Sequence, residues 1–277
     1  MKVQIIKNSL SIFIKCVQGE NKIMNVVDMV ILILISFFPA LIDSSLGMGY
    51  GFTVTPLLLL IGYSPVEAVP AVLVSSVVGD LLGTYFHQEY KNVNFSFRSR
   101  SFKIALVIGV LGGIGALFGA LVAMGISTLH LKTYIGVLVT VLGIFVLFSD
   151  KLRIKINFSW PKMIMMGIVG AFNKGVSGSG FGPVVTTGGL LSGLDEKATV
   201  AIQCLSELPV CIIGFLTFML KGSIIKWDVA ICVSIGAALS SPVAAWFVHK
   251  IPSGKLRPTI GVMAVILGLS TLVKAYL

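Results

Sequence analysis

The chain has 277 residues, of which 56% are hydrophobic and 12% charged, with a mean hydropathy of +1.00. That composition excludes a soluble globular domain and indicates an integral membrane protein. The formal net charge of +10 resides in short connections between apolar segments, which is a topology signal rather than a nucleic-acid-binding surface.

Residues 1–25 begin MKVQIIKNSLSIFIKCVQGENK, with lysines at both ends of a short apolar centre. No small-residue cleavage pattern follows, and Gln18 and Glu20 come directly after, so the segment reads as an interfacial amphipathic helix rather than a signal peptide. A first transmembrane repeat is expected over 26–150, with segments at about 26–62 (interrupted at 43–51), 66–85, 104–126 and 132–149. A cytoplasmic linker, 151–162, leads to a second repeat over 163–277, with segments at about 163–194 (interrupted at 173–182), 198–220, 229–248 and 258–274. Segments of roughly 20 apolar residues match a hydrocarbon core of ~30 Å at ~1.5 Å per residue. The expected fold is therefore an all-α integral membrane protein of about 8 transmembrane segments, in two homologous four-segment repeats. Four cysteines, Cys16, Cys204, Cys211 and Cys232, form no CxxC pair and read as small core residues, with no metal or disulfide expected.

Lysine-rich stretches at 1–25, 91–103 and 151–162 fit a cytoplasmic N-terminus and four crossings in the first half. Four further crossings would leave Lys250, Lys255 and Arg257 outside. Reading the interrupted segment of the second half as a re-entrant hairpin returns that loop to the cytoplasm, and the same device in both halves makes the repeats inverted. Both topologies stay open.

Residues 40–84 laid over 171–215 at a constant offset of 131, without a gap, pair Gly47 with Gly178, Gly49 with Gly180 and Gly51 with Gly182. The same offset pairs Thr55 with Thr186, Gly62 with Gly193, Ser75 with Ser206 and Gly83 with Gly214. Apolar composition alone does not align glycines at one spacing. Duplicated halves with helices interrupted at matching positions are a signature of secondary transporters.

Glycine lets GMGYG (47–51) and SGSGFG (177–182) leave helical geometry. Non-helical backbone at membrane depth survives only where protein buries it or where it lines a wet cavity. A helix restarting after such a break aims unpaired N–H groups and a positive dipole end at the space before it, which suits an anion. The substrate-binding candidates are therefore Lys174, Asn173, Ser177, Gly178, Ser179, Gly180 and Gly182, with Gly47, Gly49 and Gly51 in the first copy. Pro183 suits an early helical position, where its missing N–H costs nothing. The competing readings are small-residue packing for the glycines and snorkelling from a segment end for Lys174. Asp43 aligns with Lys174, so the two could pair across a pseudo-symmetry axis. Glu207, ten residues into an apolar stretch, is either a proton carrier or a static partner of Lys174. Asp80 reads as structural or interfacial, and Glu67 as a favourable helix-start carboxylate.

The stretches GMGYGFTVTPLLLLIG and GAFNKGVSGSGFGPVVTTGGLLSG, one per half, resemble the TauE/SafE family of membrane permeases, from about residue 28 to the C-terminus. Tyr50 and Phe181 stand where that family usually runs adjacent glycines. The resemblance implies transport of small sulfur-containing anions such as sulfite, sulfoacetate or other organosulfonates across the cytoplasmic membrane, without cofactor or enzymatic chemistry. The expected partners are such an anion and the lipid bilayer, not nucleic acid; coupling to protons and assembly as a homodimer stay open. Three rival readings remain. An anion channel could use the same glycine-rich segments as pore walls. GVSG at 175–178 formally fits an intramembrane serine protease, although His87, His130 and His249 all fall at segment ends or in connections. A purely structural membrane subunit is the third.

Overall fold

The computed structural model describes residues 25–149, 158–250 and 257–277; the amphipathic segment expected before residue 25 and most of the expected linker lie outside them. Ten helices make up the described chain: α1 (Val26–Leu46), α2 (Tyr50–Ile61), α3 (Pro65–Glu89), α4 (Arg100–Gly125), α5 (Thr128–Ser149), α6 (Trp160–Ser177), α7 (Phe181–Leu191), α8 (Glu196–Leu220), α9 (Trp227–Lys250) and α10 (Arg257–Tyr276). No strand occurs among the described residues.

Local sequence sets the helix starts. Ser64 and Glu67 form a reciprocal capping box at α3, with Pro65 at the first helical position and the Ser64 N–H 2.9 Å from Glu67 Oε2. Asp195 accepts the Ala198 N–H at 3.1 Å to begin α8. Glycines set the two interruptions. Gly47 (φ +71°) ends α1 by donating its N–H to Asp43 O at 2.6 Å, and Gly178 (φ +71°) ends α6 by donating to Lys174 O at 2.8 Å. The chain restarts through Gly49 (φ +137°) and Gly180 (φ +97°). A left-handed residue two positions after another is cheap only without a β-carbon. The interruptions are thus shorter than 43–51 and 173–182, because helical hydrogen bonding persists up to Leu46 and Ser177.

Packing follows the small residues. α4 lies against α6 and α8, α9 against α1 and α3, α3 against α8, and α5 against α10. Gly115 and Gly119 of α4 sit directly on the Ile168 and Phe172 carbonyls of α6, where any side chain would collide. The outward face of α4 carries Leu106, Val110, Ile114, Phe118 and Val122, and that of α9 carries Ile231, Ile235, Leu239 and Val243, all exposed. Apolar stripes at helical spacing, turned away from the core, are lipid-facing surface. Six helices, α1, α3, α4, α5, α8 and α9, are long and apolar enough to cross a membrane. At ~1.5 Å per residue, α2 and α7 reach only about 16–18 Å, roughly half the hydrocarbon core.

Candidate functional site

The two interruptions touch. Thr186 Oγ1 on α7 donates to Gly47 O at 2.8 Å, and a β-carbon on Gly182 would lie 2.5 Å from that same carbonyl. In the other direction Gly51 faces Gly178 O and the Ser179 backbone, and a β-carbon on Gly178 would lie 2.8 Å from Thr55 Oγ1. Four of the glycine candidates, Gly47, Gly51, Gly178 and Gly182, therefore form a backbone-to-backbone crossing of the two breaks. Gly49 and Gly180 supply the left-handed turns beside it.

The polar candidates of the second break divide into two groups. Ser177 Oγ donates to Asn173 O at 2.7 Å and accepts the Ser179 N–H at 3.1 Å, while the Ser179 hydroxyl lies 3.0 Å from it. Asn173 Oδ1 accepts the Tyr134 hydroxyl at 2.5 Å. These groups fold the break itself. Lys174 does something else. Its side chain is 3% exposed, so it does not snorkel, and its Nζ lies 2.5 Å from Glu207 Oε1, whose side chain is 5% exposed. The ammonium also donates to Ser76 Oγ at 3.0 Å, and Gln203 donates its amide N–H to the other Glu207 oxygen.

The expected pairing of Asp43 with Lys174 is not what forms. Asp43 Oδ1 instead accepts the Tyr50 N–H at 3.1 Å and so sets a carboxyl oxygen at the positive end of the α2 dipole. Of the two carboxylates open to Lys174 in the sequence, Glu207 is the one it meets. Asp80 also differs from an interfacial placement: it is buried. Only 4% exposed, it has an Oδ2 without a hydrogen-bond partner, and its carboxylate lies within 4.8 Å of both the Glu207 carboxylate and the Cys211 thiol.

The residues that a reading of identities missed are Ser76, Asp80, Gln203 and Cys211. The offset of 131 that aligned the glycines also pairs Ser76 with Glu207 and Asp80 with Cys211. These positions are one turn apart on α3 and on α8, which pack against each other. The signal was a pair of unlike residues at equivalent places, which matching by identity discards. In the sequence Tyr50 stands out only as a break in the glycine run. Its hydroxyl is 2.5 Å from Ser75 Oγ and 3.1 Å from Ser36 Oγ, and it ties α2 to α3 and α1.

His87 is fully buried despite its place near a helix end. Its Nε2 meets Ser44 O at 2.9 Å and its Nδ1 meets the Asn92 amide at 3.1 Å. Both ring nitrogens are thus engaged, and Ser177 spends its proton on Asn173 O, so this histidine and that serine do not form a nucleophile–base dyad.

The family description "Sulfite exporter TauE/SafE" matches residues 32–271, spanning both breaks and all ten helices at least in part. The chain belongs to the TauE/SafE family. Two relatives share similarity along most of their length. "Probable membrane transporter protein YtnM" of Bacillus subtilis (strain 168) is 27% identical over 260 residues, covering 90% of this chain and 84% of the relative. "Probable membrane transporter protein MJ0441" of Methanocaldococcus jannaschii is 25% identical over 258 residues, covering 86% of this chain and 93% of the relative. No solved structure matches the chain significantly. With its apolar helices, this TauE/SafE member is a multi-pass membrane protein.

Proposed function

We propose that this TauE/SafE-family membrane transporter carries small sulfur-containing anions, sulfite or a compact organosulfonate, by alternating access, and that the anion binds at the second break. One observation carries the reading. In the first break a carboxylate, Asp43, accepts the leading N–H of the restarted helix. At the equivalent position of the second break stands Lys174, and an ammonium cannot accept the corresponding Phe181 N–H. An arriving oxyanion would supply an acceptor to the start of α7 and a counter-charge to Lys174, with the Ser76 hydroxyl as a third donor.

The pair with Glu207 then acts as a latch. While Lys174 holds Glu207, the centre is closed; an anion must exchange for that carboxylate, and the exchange is a discrete two-state event of the kind alternating access needs. The breaks in direct contact, with no passage between Gly51 and Gly178, favour a carrier over a standing pore. The packing of α4 on α6 and α8, matched by α9 on α1 and α3, is consistent with a duplication that exchanges one helix between the halves 26–150 and 163–277, so the bodies that would rock against each other are α1–α3 with α9 and α6–α8 with α4.

Glu207→Gln keeps the shape of the latch and removes its charge. Expected is anion binding tighter by about tenfold, as one charge-assisted competitor is lost, with slower turnover. Binding by titration calorimetry and turnover by counterflow check this, and unchanged affinity and turnover make Glu207 a static partner of Lys174. Large unitary currents in a planar bilayer, in place of saturable counterflow, would make the protein a channel.

A further inference from the structure

The ionisable groups at the crossing do not balance. Among the described residues Lys174 is the one cation there, against Asp43, Asp80 and Glu207, and Glu207 takes Lys174 for itself. Asp43 commits one oxygen to the Tyr50 N–H. Asp80 is buried with an unpartnered oxygen. A small void opens between these last two carboxylates, lined also by Ser44, Tyr50, Ser75 and Ser76, with room for about one water-sized sphere. Every heteroatom facing it from a side chain is oxygen. Ala40, Asp43 and Ser44 bring to it the last two turns of α1, the negative end of that helix dipole.

An oxygen-only shell with two carboxylates suits a small hard cation, and half-helix C-terminal ends serve that role in other broken-helix transporters. Carboxylates buried together without a counter-charge are neutralised either by protons or by a bound cation. We propose that the void between α1, α2 and α3 binds Na+, held by the Asp43 and Asp80 carboxylates and the Ser76 hydroxyl, and that this is the coupling ion. The coupling role rests on the transport reading above; the binding site does not. A cation here lies beside the Lys174–Glu207 latch, because Asp80 neighbours Glu207 and Ser76 touches Lys174. It offsets the acidic field that repels an arriving anion, so the two ions enter together and move in the same direction.

The titratable groups that face Asp80 are Glu207, Cys204 and Cys211 from α8, Lys174 from α6, Asp43 from α1 and Tyr50 from α2, while α9 contributes only Ala237 to the void. A bare proton on Asp80 would need none of the open space.

Radioactive Na+ binding to the purified full-length protein, in a bulky organic-cation buffer without anion, tests the site. Wild type should bind saturably; Asp80→Asn should weaken binding at least tenfold, and Ser76→Ala several-fold, which keeps the test valid if Asp80→Asn does not fold. Sulfite uptake in proteoliposomes should rise with an inward Na+ gradient. No saturable binding to wild type, or binding equal to wild type in both variants, overturns the site. Anion uptake indifferent to Na+ overturns the coupling alone. Absence of anion uptake beside intact Na+ binding overturns the transport reading and leaves the cation site standing.

Discussion

Lys174→Ala is expected to abolish sulfite or sulfonate uptake and also to cost about 3–5 kcal/mol of stability, since it leaves Glu207 as an unpaired buried carboxylate. With both side chains 5% exposed or less, solvent screening does not soften that cost. The two effects separate by a second substitution. Lys174→Met combined with Glu207→Gln removes both charges and should recover most of the stability, because replacing a buried ion pair by neutral groups of similar volume is often close to neutral. Transport should not recover. Thermal unfolding in detergent together with counterflow in proteoliposomes checks both halves of the expectation. A double variant that regains flux along with its fold would make Lys174 a structural residue only. Lys174→Glu should be worse than either, since it sets a fourth carboxylate beside Asp43, Asp80 and Glu207.

Gly51→Ala is expected to be the most damaging glycine-to-alanine change among the described residues. A β-carbon there would fall on Gly178 O and 2.6 Å from Ser179 Cα, both backbone, so no side chain can turn aside and the two breaks must separate. The loss should sit near 3 kcal/mol, the upper end for overpacking, with transport abolished because the crossing positions Lys174. Gly182→Ala presses on Gly47 O in the same way and should behave alike. Gly125→Ala, with nothing within 4 Å, should leave both unfolding and flux within error of wild type. Equal tolerance of Gly51→Ala and Gly125→Ala would mean that the breaks do not cross in the membrane.

The crossing explains which parts of the architecture the sequence made legible. Hydropathy and basic connections located the helices, and φ-permissive glycines located both interruptions, because these depend on local composition. Lys174 stood out because a cation in an apolar stretch needs a partner. The choice of that partner was not legible: Glu207 and Asp43 are both carboxylates in apolar segments, and only the packing of α3 on α8 beside α6 decides between them. The burial of Asp80 is hidden in the sequence for a related reason. Its place late in an expected segment ending at 85 suggested an interface, but α3 continues to Glu89, which moves Asp80 a turn further from the helix end and into the core. The glycines carried more than one meaning in sequence, as ligand cradle or as packing surface. In the structure Gly47, Gly51, Gly178 and Gly182 pack, and the proposed anion contacts fall to Lys174, Ser76 and the start of α7.

The central claim is that the second break binds an anion through Lys174. Titration calorimetry of sulfite onto wild type and onto the folded Lys174→Met, Glu207→Gln variant measures it without requiring flux. Saturable binding to wild type, weakened by roughly 30-fold or more in the variant as expected for losing a buried charge contact, is the predicted result. Equal affinity in the two proteins would contradict it.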